Sequence, residues 1–279
     1  MNTIVSMEWV REHLNDENVV IVDCRFHLQD PNKGYHEYKA SHIKGAVYFD
    51  LERDLSGPVR KHGGRHPLPD TTQLAFKLGD VGIDHNKTVV AYDDENSSIS
   101  AARFWWLLKY MGHDKVYVMD EGFSSWVEKG YPTDDKKSIK TPTQFIPHVR
   151  EEMVIKQSEV REQIKNPDDG WVLIDARGEE RYSGKVEPMD KKAGHIPGAE
   201  NWFWKDNIAQ GGKWKSAEEL KERFAPLKDK KSITVYCGSG VTACTNILAL
   251  YEAGLTNVKL YPGSWSDWIS YSENPVEAK

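Results

Sequence analysis

The chain repeats itself. "VREHL" at Val10 returns as "VREQI" at Val160, "VIVDCR" ending at Arg25 returns as "VLIDAR" ending at Arg177, and "SHIKGAVYF" returns as "GHIPGAENW". Further along, "TVVAYDDENSS" is answered by "SITVYCGSGV", and "DEGFSSW" by "PGSWSDW". Order is kept and the offset changes only slightly, as loop insertions between two copies of one domain would make it. A long-period repeat sets the architecture before any single element is read. With 279 residues, each of two copies can bury its own core. The expected division is residues 1–132, a linker over 133–150, and residues 151–279. The linker stretch, "PTDDKKSIKTPTQFIPH", is rich in Pro, Thr and charge and follows neither helical nor strand periodicity.

Within each copy, short β-branched runs ("VVIVD", "TVVAY", "VYVM"; "WVLID", "SITVY", "VKLY") alternate with helix-length amphipathic segments ("SAARFWWLLKYMGH", "SAEELKERFAPL", "TACTNILALYEAG"). That alternation predicts an α/β fold with a parallel sheet, and continuously apolar strands predict a sheet covered on both faces. Ligands of such sheets bind beyond the carboxyl ends of the strands. No apolar run approaches the roughly 20 residues of a membrane span, and the start "MNTIVSMEWVREHL" is interrupted by Glu8 and Arg11, so neither membrane nor leader peptide is expected and the default location is the cytoplasm. A net charge of −6 without a basic stripe argues against nucleic acid. Three cysteines, Cys24, Cys237 and Cys244, are too few for a disulfide framework and are expected as thiols.

Cys237 stands at a strand end, in "YCGSGVTAC", just before a helix. Gly238, Ser239 and Gly240 permit a tight loop whose backbone N–H groups point inward, and the helix N-terminus adds its positive end. Such a setting favours a thiolate and would equally hold a persulfide. A buried structural cysteine is the plainer alternative, but the small neighbours suit a nucleophile. Two classes of enzyme place a thiolate in a six-residue loop of this kind, sulfur-transfer enzymes and cysteine phosphatases. The phosphatase loop closes on an arginine that clamps phosphoryl oxygens, and here that position is Ala243, which speaks against it.

Taken together, "DAR" at Asp175, "GHIPGA" at Gly194, "CGSGVTAC" at Cys237 and "GSWSDW" at Gly263 resemble the two-domain rhodanese-like sulfurtransferases over nearly the whole chain. The resemblance implies tandem rhodanese-like domains, the second catalytic with Cys237 as the persulfide-forming residue, and the first having lost its cysteine. The aligned position is Asp93 in "YDDENSS", where a carboxylate cannot take sulfur and Asp94 and Glu95 would repel an anion. The loop "CGSG" is similar to that of enzymes using 3-mercaptopyruvate, whereas thiosulfate-type members resemble "CRKG". Without loop cations a dianionic donor should bind more weakly. Ser239 is implied as part of a relay with a histidine and a carboxylate. His42 in "SHIKGA" matches that histidine, with a turn residue as its alternative, as for His195; no residue singles itself out as the carboxylate, Asp30 being one candidate.

Arg181 matches a substrate arginine, and its guanidinium fork suits a carboxylate. Arg177 is a second candidate, with a structural ion pair as the plainer account, and the loop residues Gly238, Gly240, Val241 and Thr242 are expected to touch substrate. Mercaptopyruvate enzymes carry a further arginine in the segment that here reads "KVEPMDKKAGH"; this chain has none, leaving Lys191 or Lys192 as substitutes. "HGGRH" (His62 to His66) lacks the acid or cysteine that would complete a metal site and is expected as a surface or interdomain loop, with Arg60 and Arg65 lending positive charge to the cleft. Cys244 and Cys24 are expected in the core. Trp105, Trp106, Trp202, Trp204, Trp265 and Trp268 are expected in core and interface, the last two as walls of the sulfur pocket. The expected activity is transfer of a sulfane sulfur from a small anionic donor, 3-mercaptopyruvate or thiosulfate, to cyanide or to a thiol such as thioredoxin or a low-molecular-weight thiol, by a monomer without metal or organic cofactor. The rival is a non-enzymatic carrier that takes a persulfide from one protein and hands it to another.

Overall fold

A computed structural model describes residues 3–94 and 99–278. The first copy is a five-stranded sheet in the order Ile4–Val5, Val116–Met119, Thr88–Tyr92, Val19–Asp23, Val47–Tyr48, and every pairing is parallel. The second has the order Val258–Leu260, Ser232–Tyr236, Trp171–Asp175, Glu200–Asn201, again parallel throughout. The counterpart of the first copy's edge strand is reduced to a single parallel bridge, Val154 to Leu260. The predicted runs form the central strands, which are nearly all buried because helices cover both faces.

The repeat extends to individual hydrogen bonds. Tyr92 lies opposite Asp23 and Tyr236 opposite Asp175 in the same register. Arg25 folds back on Asp23 (2.6 Å) and reaches Ser41 O, as Arg177 folds back on Asp175 (2.7 Å) and reaches Gly194 O. Cys24 N–H donates to Tyr92 O, and Ala176 N–H to Tyr236 O, both at 2.8 Å.

Helices Ile99–Tyr110 and Thr242–Glu252, each following the loop at the end of a central strand, pack on one another across the two copies. Trp105 meets Tyr251 edge-on there, and Trp105, Trp106, Leu108, Ile247 and Leu250 belong to one continuous core that unites both copies. Thr133–Asp134 pairs antiparallel with His42–Ile43. Beyond it, residues 137–150 carry no helix or strand and are tied to the first copy through Thr143 N–H to Gly79 O, His148 N–H to Met111 O and Arg150 N–H to Tyr110 O. Among the described residues no helix is long and apolar enough to cross a membrane.

Candidate active site

Cys237 follows the strand Ser232–Tyr236 and is 2% exposed. Its loop is fastened from beneath: Cys237 N–H donates to Ser264 Oγ, whose hydroxyl donates to Tyr261 O, while Trp265 N–H and Ser266 N–H donate to the carbonyls of Cys237 and Gly238. The turn then curls so that Gly240 N–H donates to Cys237 Sγ at 3.2 Å. That curl requires φ of +79° at Gly240, where a Cβ would stand 2.2 Å from Pro262 O. Gly240→Ala is therefore expected to destabilise the protein by about 2–4 kcal/mol, read as a shifted urea midpoint, and to move the N–H off the Cys237 sulfur.

Cys237 opens on a cleft of about 870 Å³ between the two copies, lined also by Gly238, Ser239, Val241, Thr242, Arg181, Arg65 and His66. Trp204, Met189, Leu51, Leu28 and Ile99 supply apolar wall, and Lys205 with Ala209, Gly211 and Gly212 forms a rim.

The loop "HGGRH", expected at the surface or between the copies, is laid against the helix Ser264–Trp268 of the second copy. His62 bonds Ser270 Oγ (2.7 Å) and stacks on Tyr271, Gly63 N–H donates to Asp267 Oδ1 (2.7 Å), and Arg65 N–H donates to Ser266 Oγ (3.1 Å). Gly64 packs so close that a Cβ would lie 2.4 Å from Gly263 O. The docking delivers two side chains to the sulfur loop. His66 Nδ1 lies 2.8 Å from Ser239 Oγ, and burial, with Arg103 and Arg65 nearby, pushes its pKa down to about 4, so the ring is neutral at pH 7. Arg65 reaches over Gly238 beside Arg181.

Several expectations are corrected. His42 is not the partner of Ser239: it is fully buried in the first copy, its Nδ1–H donates to Tyr38 O (2.6 Å) and its ring stacks on Tyr38, just as His195 bonds Tyr182 O and stacks on Tyr182. Asp30 is exposed and caps a turn at Asn32. Arg177 does not line the cleft; it is 2% exposed, held by Asp175, Glu187 and Gly194 O with its guanidinium over Trp265. Gly240 likewise serves the sulfur and not the cleft wall. Lys191 and Lys192 are exposed and lie off the cleft. Trp265 and Trp268 are core residues whose indole N–H groups reach Lys192 O and Pro275 O, and the apolar wall of the sulfur site comes from other side chains.

Cys244 is fully buried, its thiol on Gly240 O, and burial pushes its pKa up to about 12. Cys24 is buried as well, with its pKa well above the ordinary thiol range. Asp93 occupies in the first copy the place of Cys237: Phe123 N–H donates to Asp93 O as Trp265 N–H donates to Cys237 O, both at 3.0 Å. Its carboxylate accepts from Ser100 N–H and Ala101 N–H in the first turn of Ile99–Tyr110. Asp94 lines the same cleft, whereas Glu95 lies outside the described residues.

A family model described as the rhodanese-like domain matches residues 6–129 and again 156–271. The chain is 41% identical over 278 residues to a probable 3-mercaptopyruvate sulfurtransferase of Pseudomonas aeruginosa, covering 98% of this chain and 97% of that one. It is 33% identical to the 3-mercaptopyruvate sulfurtransferase of Escherichia coli K12 (98% and 97% covered) and 30% identical to the thiosulfate sulfurtransferase of Gallus gallus (95% and 93%). The solved structure of SseA from Escherichia coli superposes with a TM-score of 0.82 at 32% identity, covering 95% of this chain and all of that one. With the repeat matched in both copies and relatives similar from end to end, the chain belongs to the rhodanese-like family as a two-domain sulfurtransferase.

Proposed function

We propose that the protein moves a sulfane sulfur from 3-mercaptopyruvate to a thiol or cyanide through a persulfide on Cys237. The observation that carries this is the placement of Cys237 Sγ under Gly240 N–H, with Arg65 and Arg181 over the next residue and no cation within the loop itself. The Cys237 thiolate attacks the donor sulfur and forms an S–S bond while the donor's C–S bond breaks, its electron pair passing to the pyruvate enolate. The donor's thiol proton is returned to the methylene carbon through Ser239 and the neutral His66, leaving pyruvate and Cys237–S–S⁻. An acceptor thiolate or cyanide then attacks the outer sulfur and restores Cys237. Arg181 holds the donor's carboxylate. The two guanidiniums are already paired with Glu187 and Asp190, so little net positive charge is left to hold a dianion such as thiosulfate, whereas a donor with one carboxylate needs only their remaining N–H groups.

Steady-state transfer from both donors to one acceptor tests this. The expected result is kcat/KM higher for 3-mercaptopyruvate on the order of 100-fold, with a gain of one sulfur atom in the mass of the protein after donor and no acceptor. Preference for thiosulfate would overturn the donor assignment, and stable sulfur loading without turnover on either donor would favour the carrier.

A further inference from the structure

We propose that Arg65, from the non-catalytic first copy, is the second carboxylate-binding arginine of the donor site, so that the donor is clamped between the two copies. This rests on the sulfur-transfer mechanism above. A Cβ placed on Gly238, the residue after the nucleophile, would lie 3.0 Å from Arg65 Nη2 and 3.4 Å from both Nη1 and Nη2 of Arg181. The two guanidiniums thus converge on one point beside the sulfur, from different domains.

Both are tethered by the same side chain. Asp190 accepts from Arg65 Nη1 through Oδ1 and from Arg181 Nη2 through Oδ2 (3.1 Å), and Glu187 takes Arg181 Nε and Nη2. Asp190 in turn is fixed by its own N–H on Glu187 Oε1 (3.1 Å). These ties leave the donors on the cleft side uncommitted: among the described residues neither Arg65 Nη2 nor Arg181 Nη1 has a hydrogen-bond acceptor, and Arg65 Nε is buried without one. Nη2 of Arg65 and Nη1 of Arg181 are thus free to donate to an anion in the cleft that both residues line. A carboxylate bound across Nη2 of Arg65 and Nη1 of Arg181 would satisfy both and leave the chain bearing the sulfur directed at Cys237, which lines the same cleft.

The position of Met189 adds a second reason. Met189 also lines the cleft, within the segment where the chain lacks an arginine, so the positive charge missing there is supplied by the docked "HGGRH" loop.

The test uses Arg65→Met and Arg65→Lys in the full chain, with two readouts. The first is alkylation of Cys237 by iodoacetate and by iodoacetamide, which differ in carrying or lacking a carboxylate. Arg65→Met is expected to lower the iodoacetate-to-iodoacetamide rate ratio by 10-fold or more, while a purely structural loss would slow both alike. The second is transfer kinetics, where KM for 3-mercaptopyruvate should rise 10- to 100-fold with kcat changed less than threefold, Arg65→Lys falling between. Adding Met189→Arg to Arg65→Met should recover a substantial part of the lost KM. An unchanged alkylation ratio and unchanged KM would overturn the clamp, even where the wild-type enzyme turns over 3-mercaptopyruvate; failure of the wild type to do so would strike the mechanism and leave the alkylation result to decide on Arg65.

Discussion

Cys237→Ser is expected to abolish sulfur transfer, with kcat/KM falling by about 10⁴-fold or more, while the thermal transition and circular dichroism should stay those of the wild type. The activity loss follows from the chemistry of the step. A serine hydroxyl at neutral pH is neither ionised nor able to form a stable chain of two sulfurs, so no intermediate can be held. The fold is spared because the side chain contributes little to the scaffold. Its neighbours are fixed by backbone bonds, Cys237 N–H to Ser264 Oγ and the Trp265 and Ser266 N–H groups to the loop carbonyls, and serine keeps all of them. Cys244→Ser gives the contrast: its thiol is buried on Gly240 O, outside the reaction, so transfer should persist. Loss of transfer in Cys244→Ser with normal folding, or its survival in Cys237→Ser, would place the sulfur on the wrong cysteine.

The repeat that makes the fold legible also explains where sequence reasoning lost the site. Residues shared by both copies are those that build a domain. Asp23, Arg25, Tyr92 and His42 recur as Asp175, Arg177, Tyr236 and His195, and in both places they join strand ends to the following turn. "SHIKGA" and "GHIPGA" therefore mark a scaffold, and a histidine found in both motifs is held for the same structural reason in each. The proposed chemistry lies where the copies differ. Cys237 is legible because its partner position is Asp93, and the loop of small residues has an evident electrostatic purpose. Arg65 and His66 sit in "HGGRH", whose counterpart in the second copy, "QGGKW", keeps the glycine pair but carries Lys213 and Trp214 in their places. Its glycines were the signal: Gly63 and Gly64 have φ of +103° and +80° and let the loop lie flat on the Gly263 turn. A sequence shows that such a loop can approach another backbone closely, but not which backbone, because the docking partner is 201 residues away. The tryptophans fail for a related reason. Aromatic periodicity identifies burial, and Trp265 and Trp268 are buried, yet which face of a short helix meets the cleft is decided by tertiary packing.

Asp93→Asn is expected to raise stability at pH 8 by about 4 kcal/mol and to remove the rise in stability expected of the wild type on mild acidification. The Asp93 side chain is buried where the second copy holds its sulfur, and burial pushes its pKa from 3.8 up to about 7, against the pull of the Ala101 and Ser100 N–H groups and with Asp94 and Asp23 adding to the rise. Between pH 3.8 and 7 the folded protein therefore holds a proton that the unfolded chain has released, so stability falls as pH rises through this window, and the full cost is present above 7. Asparagine keeps an acceptor for both N–H groups and carries no charge. Two histidines act with the opposite sign. His66 and His113 are buried with their pKa values pushed down to about 4 from 6.5, so below 6.5 the unfolded chain takes up protons that the folded one refuses, and stability falls as pH drops towards 4. Above 6.5 the wild type thus feels chiefly Asp93, and below it the two histidines outweigh one aspartate. Its stability should pass through a maximum in the range where these opposing proton differences cancel. In Asp93→Asn the opposing contribution is gone, the histidines act alone, and the denaturation free energy should decline monotonically from pH 7 to 4 with a steeper slope. Urea titrations of both proteins at half-unit pH steps decide the matter. Equal stability at pH 8 would mean that the Asp93 carboxylate is as well stabilised as one in water, and that the Ser100 and Ala101 N–H groups still make an effective anion site.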